Sequence, residues 1–148
     1  MNLVRSAAAV IAGALLILFM HGTLEQTLVR AIADGPVTSE AAFVAVRNRP
    51  MVLVLTLVTL ALASTLAGYI VAKLAGMHEV RHAIGTAVIM TSVYAVAFAG
   101  ENTMLPPVWV RVAMLIVTPP ALMAGASIRA QARAIQQEAA AQRPEERS

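Results

Sequence analysis

MVLVLTLVTLALASTLAGYIVAKL, residues 51–74, is the stretch that decides the fold. No charge interrupts it before Lys73. At about 1.5 Å of rise per residue, a helix of this length covers the roughly 30 Å of a bilayer's hydrocarbon core. Backbone amides in hydrocarbon must be satisfied within their own segment or within a closed barrel, and a barrel strand would alternate polar with apolar residues. This stretch does not alternate, so it reads as a helix.

Three further stretches of the same kind lie around it, at about residues 6–24, 83–100 and 108–128. The whole chain has 148 residues, 59% hydrophobic and 13% charged, far from the balance of a water-soluble domain. The expected fold is all-α: a single membrane domain, residues 1–148, formed by a bundle of four transmembrane helices. The connections at 76–82 and 101–107 are short, so the helices on either side of each should be antiparallel neighbours. Residues 129–148 should continue the last helix into the cytoplasm through RAQARAIQQEAAAQR, then become a disordered tail near Pro144. Arg5 before an apolar run and Ala31-Ile32-Ala33 imitate a signal peptide. The thirteen residues after Met20, through Ala33, include Glu25 and Arg30, too long and too charged for a cleavage region, so the run is expected to remain as a membrane anchor.

The basic residues set an orientation. With the N-terminus inside, Arg5, Lys73, Arg81, Arg129, Arg133, Arg143 and Arg147 lie on the cytoplasmic side, and Arg30, Arg47, Arg49 and Arg111 on the outer side. That bias predicts N-in, C-in. The net charge of +3 sits mostly at span ends, where Arg meets headgroups, which argues for the lipid bilayer as partner and against nucleic acid. The chain has no Cys, hence no disulfide, thiolate metal site or cysteine nucleophile.

The one long loop, between the first two spans, carries a turn signal at Asp34-Gly35-Pro36 and a capping residue, Thr38 or Ser39, for a short helix through Val46. This helix is expected to lie along the outer interface, with Phe43 and Val46 toward lipid or bundle and Glu40 and Arg47 toward water.

HEVRH, residues 78–82, has the H-E-x-x-H spelling of zinc proteases, in which two His on one helical face bind the metal and Glu activates its water. His78 and His82 would be the ligands, but a third is needed. Glu101 lies across the third span, roughly 27 Å from His82, and only Glu138, Glu145 or Glu146 of the tail shares the cytoplasmic side. The motif is therefore read as a polar loop, with no metal, cofactor or catalytic residue assigned.

Ser64, Gly68, Ala72 and Gly76 form a small-residue ladder at every fourth position, expected to mark the closest helix contact, within the monomer or in a dimer. Pro119 and Pro120 remove two amide donors from the last span and predict a kink there. Thr91, Ser92 and Tyr94 give the third span a polar middle that helix carbonyls can satisfy, and Trp109 marks the outer headgroup level. On the outer side, His21 and Glu25 share a helix face at i and i+4. Glu101 ends the third span and Arg111 begins the fourth. His21, Glu25, Glu101 and Arg111 are the candidate ion- or proton-handling cluster.

RSAAAVIAG (5–13), AGYIVAKLAGMHEVRHAIG (67–85) and WVRVAMLIVTPPALMAGASIR (109–129) resemble a loose group of uncharacterised small bacterial membrane proteins with four spans. The resemblance implies an inner-membrane location and a bundle fold, and it carries no catalytic residue. Three functional classes follow: a structural or accessory subunit, working with another membrane protein or with itself; a small proton- or ion-coupled transporter; and a membrane zinc protease. The first is the expectation, because no span has a charge at its middle, where carriers place their binding groups.

Overall fold

The structure, a computed structural model, describes residues 3–76, 78–100 and 105–142. Described residues form five helices and no strand: α1 (Leu3–Ile32), α2 (Glu40–Arg47), α3 (Pro50–Ala75), α4 (Glu79–Phe98) and α5 (Val108–Ala141). Four of these, all but α2, are long and apolar enough to cross a membrane.

The long helices form a bundle. α3 packs against α1 and α5, α4 against α1 and α5, and α3 meets α4 between them. The core takes one large side chain from each: Ile17, Leu60, Met90 and Leu122 are all fully buried. The outside of the bundle is apolar too. Phe19 is 73% exposed, Leu62 66%, Val96 79% and Ile116 66%. A water-soluble bundle carries its apolar residues on one stripe per helix, and here they go all round.

The closest approach is between α3 and α5. Ser64, Gly68 and Ala72 are buried along α3, and a methyl on Gly68 would run into the backbone of Leu122. The reciprocal position is Gly125, where a methyl would run into the backbone of Thr65 and Tyr69. The ladder therefore works within one chain, through three of its four expected members. Gly76 lies beyond the helix as its left-handed C-cap, at φ 71°. α5 is one continuous helix through Pro119 and Pro120, whose missing amides leave the carbonyls of Leu115 and Ile116 without their usual donors.

Helix limits differ from the expected spans in two places. α1 continues eight residues past position 24, because Leu28, Val29 and Ile32 bury against α2 and the start of α3, where Val46 and Val52 complete a small second core. α4 begins at Glu79, so EVRH belongs to its first turn rather than to a loop. The α3–α4 connection is short, and two arginines clamp it. Arg5 Nε donates to the Leu74 carbonyl at 2.9 Å, and Arg133 of α5 donates to the Gly76 carbonyl and to Glu79 Oε1, the latter at 2.8 Å. The cytoplasmic extension expected of α5 is thus tied to the bundle as far as Arg133, beyond which its residues are exposed.

α2 forms as expected, capped by Ser39, whose hydroxyl accepts from the Ala42 amide at 3.2 Å, and closed by Asn48. One expectation about it fails. Arg47 does not face water: it is 6% exposed, on the same inward face as Val46.

Candidate functional site

The inward turn of Arg47 brings a charge to a mostly apolar cavity at the end of the bundle nearest α2. His21 and Glu25, one turn apart on α1, line it together, as their spacing requires. Arg47 joins from α2, Thr56 from α3 and Tyr94 from α4, with Leu53, Val110 and Met114 among the apolar walls. The volume is about 220 Å³. Tyr94 stacks on Phe98, one turn further along α4, with ring centroids 5.5 Å apart.

Three polar atoms around this cavity are buried without a hydrogen-bond partner: His21 Nδ1, Thr56 Oγ1 and Tyr94 OH. Their residues are 8%, 3% and 5% exposed. Burying such a group unbonded costs about 1–3 kcal/mol, so three around one space is an unusual concentration. Burial pulls the Arg47 guanidinium below its ordinary pKa, and the Glu25 carboxylate opposes that shift by attraction. Arg47 Nε also donates to Asn48 Oδ1 at 3.3 Å.

Of the four residues expected to cluster, His21 and Glu25 come together. Arg111 does not line the cavity. Its Nη1 donates to the Phe98 carbonyl at 3.0 Å, capping the end of α4. Glu101 lies outside the described residues. The cation facing Glu25 is instead Arg47, and a signal for it exists in the sequence: Phe43, Val46 and Arg47 stand at i, i+3 and i+4, so one face of α2 holds all three.

At the opposite end, HEVRH lacks the geometry of a zinc protease. His78 is the N-cap of α4 in the left-handed conformation (φ 54°, ψ 45°), outside the helix on which both ligands would have to stand. His82 is 7% exposed, and its Nδ1 donates to the His78 carbonyl at 3.0 Å. Glu79, the would-be base, is paired with Arg133. Glu138 is on α5, and Glu145 and Glu146 lie outside the described residues. Among the described residues no three His, Cys, Asp or Glu side chains are grouped to hold a metal.

No family model, curated protein or solved structure matches this chain. What the cavity can do therefore follows from its own residues. A cation, a carboxylate, an imidazole and two hydroxyls around a small space can bind a small polar solute or exchange a proton with it.

Proposed function

We propose that this chain is a multi-pass integral protein of a bacterial inner membrane, with both termini in the cytoplasm, α2 at the outer interface, and a structural or accessory role. The observation that carries this reading is the apolar exterior of the bundle. Side chains such as Phe19, Leu62, Val96 and Ile116 stand outward on all four long helices, where lipid, not water, is the compatible solvent. The interlocked α3–α5 seam supports a rigid scaffold, and the basic residues near Arg5, Arg81 and Arg133 support the cytoplasmic assignment of that end.

The chain has no Cys, so single cysteines can be introduced without background. Asp34→Cys should react with an impermeant maleimide from outside intact cells, and His78→Cys and Gln142→Cys only after permeabilisation. Labelling of Asp34→Cys and His78→Cys from the same side would end the four-span reading. Extraction by carbonate, leaving the chain soluble, would end the membrane reading.

A second reading, a small proton- or ion-coupled carrier, is favoured by one observation: the three orphaned polar atoms around the His21–Glu25–Arg47 cavity. Purified protein in liposomes with an entrapped pH dye should then pass protons or a coupled solute, and Glu25→Gln should abolish the flux. Flux absent in the parent, or unchanged in Glu25→Gln, rejects the carrier and leaves the accessory role standing.

A further inference from the structure

A larger concavity, about 480 Å³, lies between α1 and α4 at the end of the bundle opposite the His21–Glu25 cavity. Its lining is graded. Ser6, His78, Arg81 and His82 stand at one end, and Val10, Ile11 and Ile89 continue it along the two helices. Ile11 is five residues beyond Ser6 and Ile89 seven beyond His82, which places the apolar part roughly 7–10 Å further along both walls. α1 and α4 thus present the same polarity gradient in the same direction. That is the gradient of a lipid molecule: head at the interface, chain along the helices.

The charge at the polar end is positive. Arg81 is exposed there, and Glu79, the one acidic side chain of HEVRH, is not in the lining because Arg133 holds it from α5. His82 is fixed in place by the bond from its Nδ1 to the His78 carbonyl, so the buried edge of the polar end is formed before anything binds. From this geometry we infer that the α1–α4 groove binds an anionic phospholipid, the phosphate against Arg81 and His78 and one acyl chain along Val10, Ile11 and Ile89. The inference rests on the membrane reading above.

The test uses the full chain purified in mild detergent, with retained lipid counted by native mass spectrometry against dioleoyl phosphatidylglycerol and dioleoyl phosphatidylcholine. One basic residue at a membrane surface supplies about 1 kcal/mol toward an anionic headgroup, so phosphatidylglycerol should be retained about fivefold better. Arg81→Gln should reduce it to the level of phosphatidylcholine with helix content unchanged. Ile11→Trp, an exposed position on the apolar wall, should lower retention of phosphatidylglycerol by blocking the chain. Glycerol 3-phosphate should not compete. Equal retention of the two lipids, a preference that survives Arg81→Gln, or competition by glycerol 3-phosphate overturns the inference, the last by making this a site for soluble phosphate esters. Failure of the membrane reading shows separately, in carbonate extraction of the parent chain.

Discussion

Gly68 of α3 and Gly125 of α5 each sit against the other helix's backbone, Gly68 at Leu122 and Gly125 at Thr65 and Tyr69. Two helices meet this closely only where neither carries a Cβ, and dispersion across such a seam is a main source of helix association in lipid. Gly125→Ala should therefore destabilise the bundle by about 1–3 kcal/mol, the usual cost of overpacking, because the atoms in the way are backbone and cannot rotate aside. Gly22 is the control: it lies within α1 with nothing near its absent Cβ, so Gly22→Ala should be neutral or stabilising by up to about 1 kcal/mol. Thermal unfolding of both variants in the same detergent decides it. Equal melting temperatures would mean that the seam has room to relax.

Arg133 ties the C-terminal part of α5 to the α3–α4 turn by two contacts, the Glu79 carboxylate and the Gly76 carbonyl. A pair at this degree of exposure, 35% for Arg133 and 13% for Glu79, contributes about 1 kcal/mol. Arg133→Gln should cost more than Glu79→Gln, because it removes both contacts. In a double-mutant cycle the two should couple by about 0.5–1 kcal/mol. Hydrogen exchange gives an independent readout: amides of residues 79–84 should exchange faster in Arg133→Gln, while the α3–α5 seam stays protected.

How much of the fold and of the cavity is legible in the residues alone depends on the kind of signal each element gives. The four long apolar helices are legible because length and apolarity are properties of a single segment, as in residues 51–74. The far end of α1 is not, because Glu25 and Arg30 read as the end of a span. The residues that continue the helix, Leu28, Val29 and Ile32, find their partners on α2 and α3. The small-residue ladder marks one half of the closest contact. Its other half, Gly125, stands alone on α5 and gains meaning only when docked. Polar positions are the least legible. The charge of Arg47 points it to water, against the i, i+3, i+4 spacing that puts it beside Phe43 and Val46. HEVRH reads as a loop by its polarity, although Glu79 suits the first turn of a helix. The left-handed His78 leaves no trace in the sequence, since non-glycine residues rarely adopt positive φ.

Tyr94 and Thr56 separate a packing role from a binding role at the cavity. Each holds a hydroxyl that is buried and unbonded, so removing it should not harm the fold. Tyr94→Phe and Thr56→Val should each leave the melting temperature unchanged or raise it, by up to about 1–2 kcal/mol of stability, since a buried orphan is relieved and the shape is kept. Under the carrier reading the same variants should lower flux. A loss of stability in either one would mean that its hydroxyl is bonded within the folded protein.

Arg47 and Glu25 bring opposite charges to the cavity, one from α2 and the other from α1. Removing one charge of a buried pair leaves the other in low dielectric, which costs about 3–5 kcal/mol at full burial. Glu25 is only partly buried, so about 2 kcal/mol is expected for Arg47→Gln. Glu25→Gln/Arg47→Gln should recover part of that loss, because no isolated charge remains. Arg47→Lys should recover less than the parent level, since one ammonium cannot also reproduce the guanidinium's bond to Asn48. The measurement is again unfolding in detergent, run as a full cycle. Strictly additive losses from the two substitutions would show that Glu25 does not feel the charge of Arg47, and the cavity would then be an apolar gap with polar neighbours rather than an ionic site.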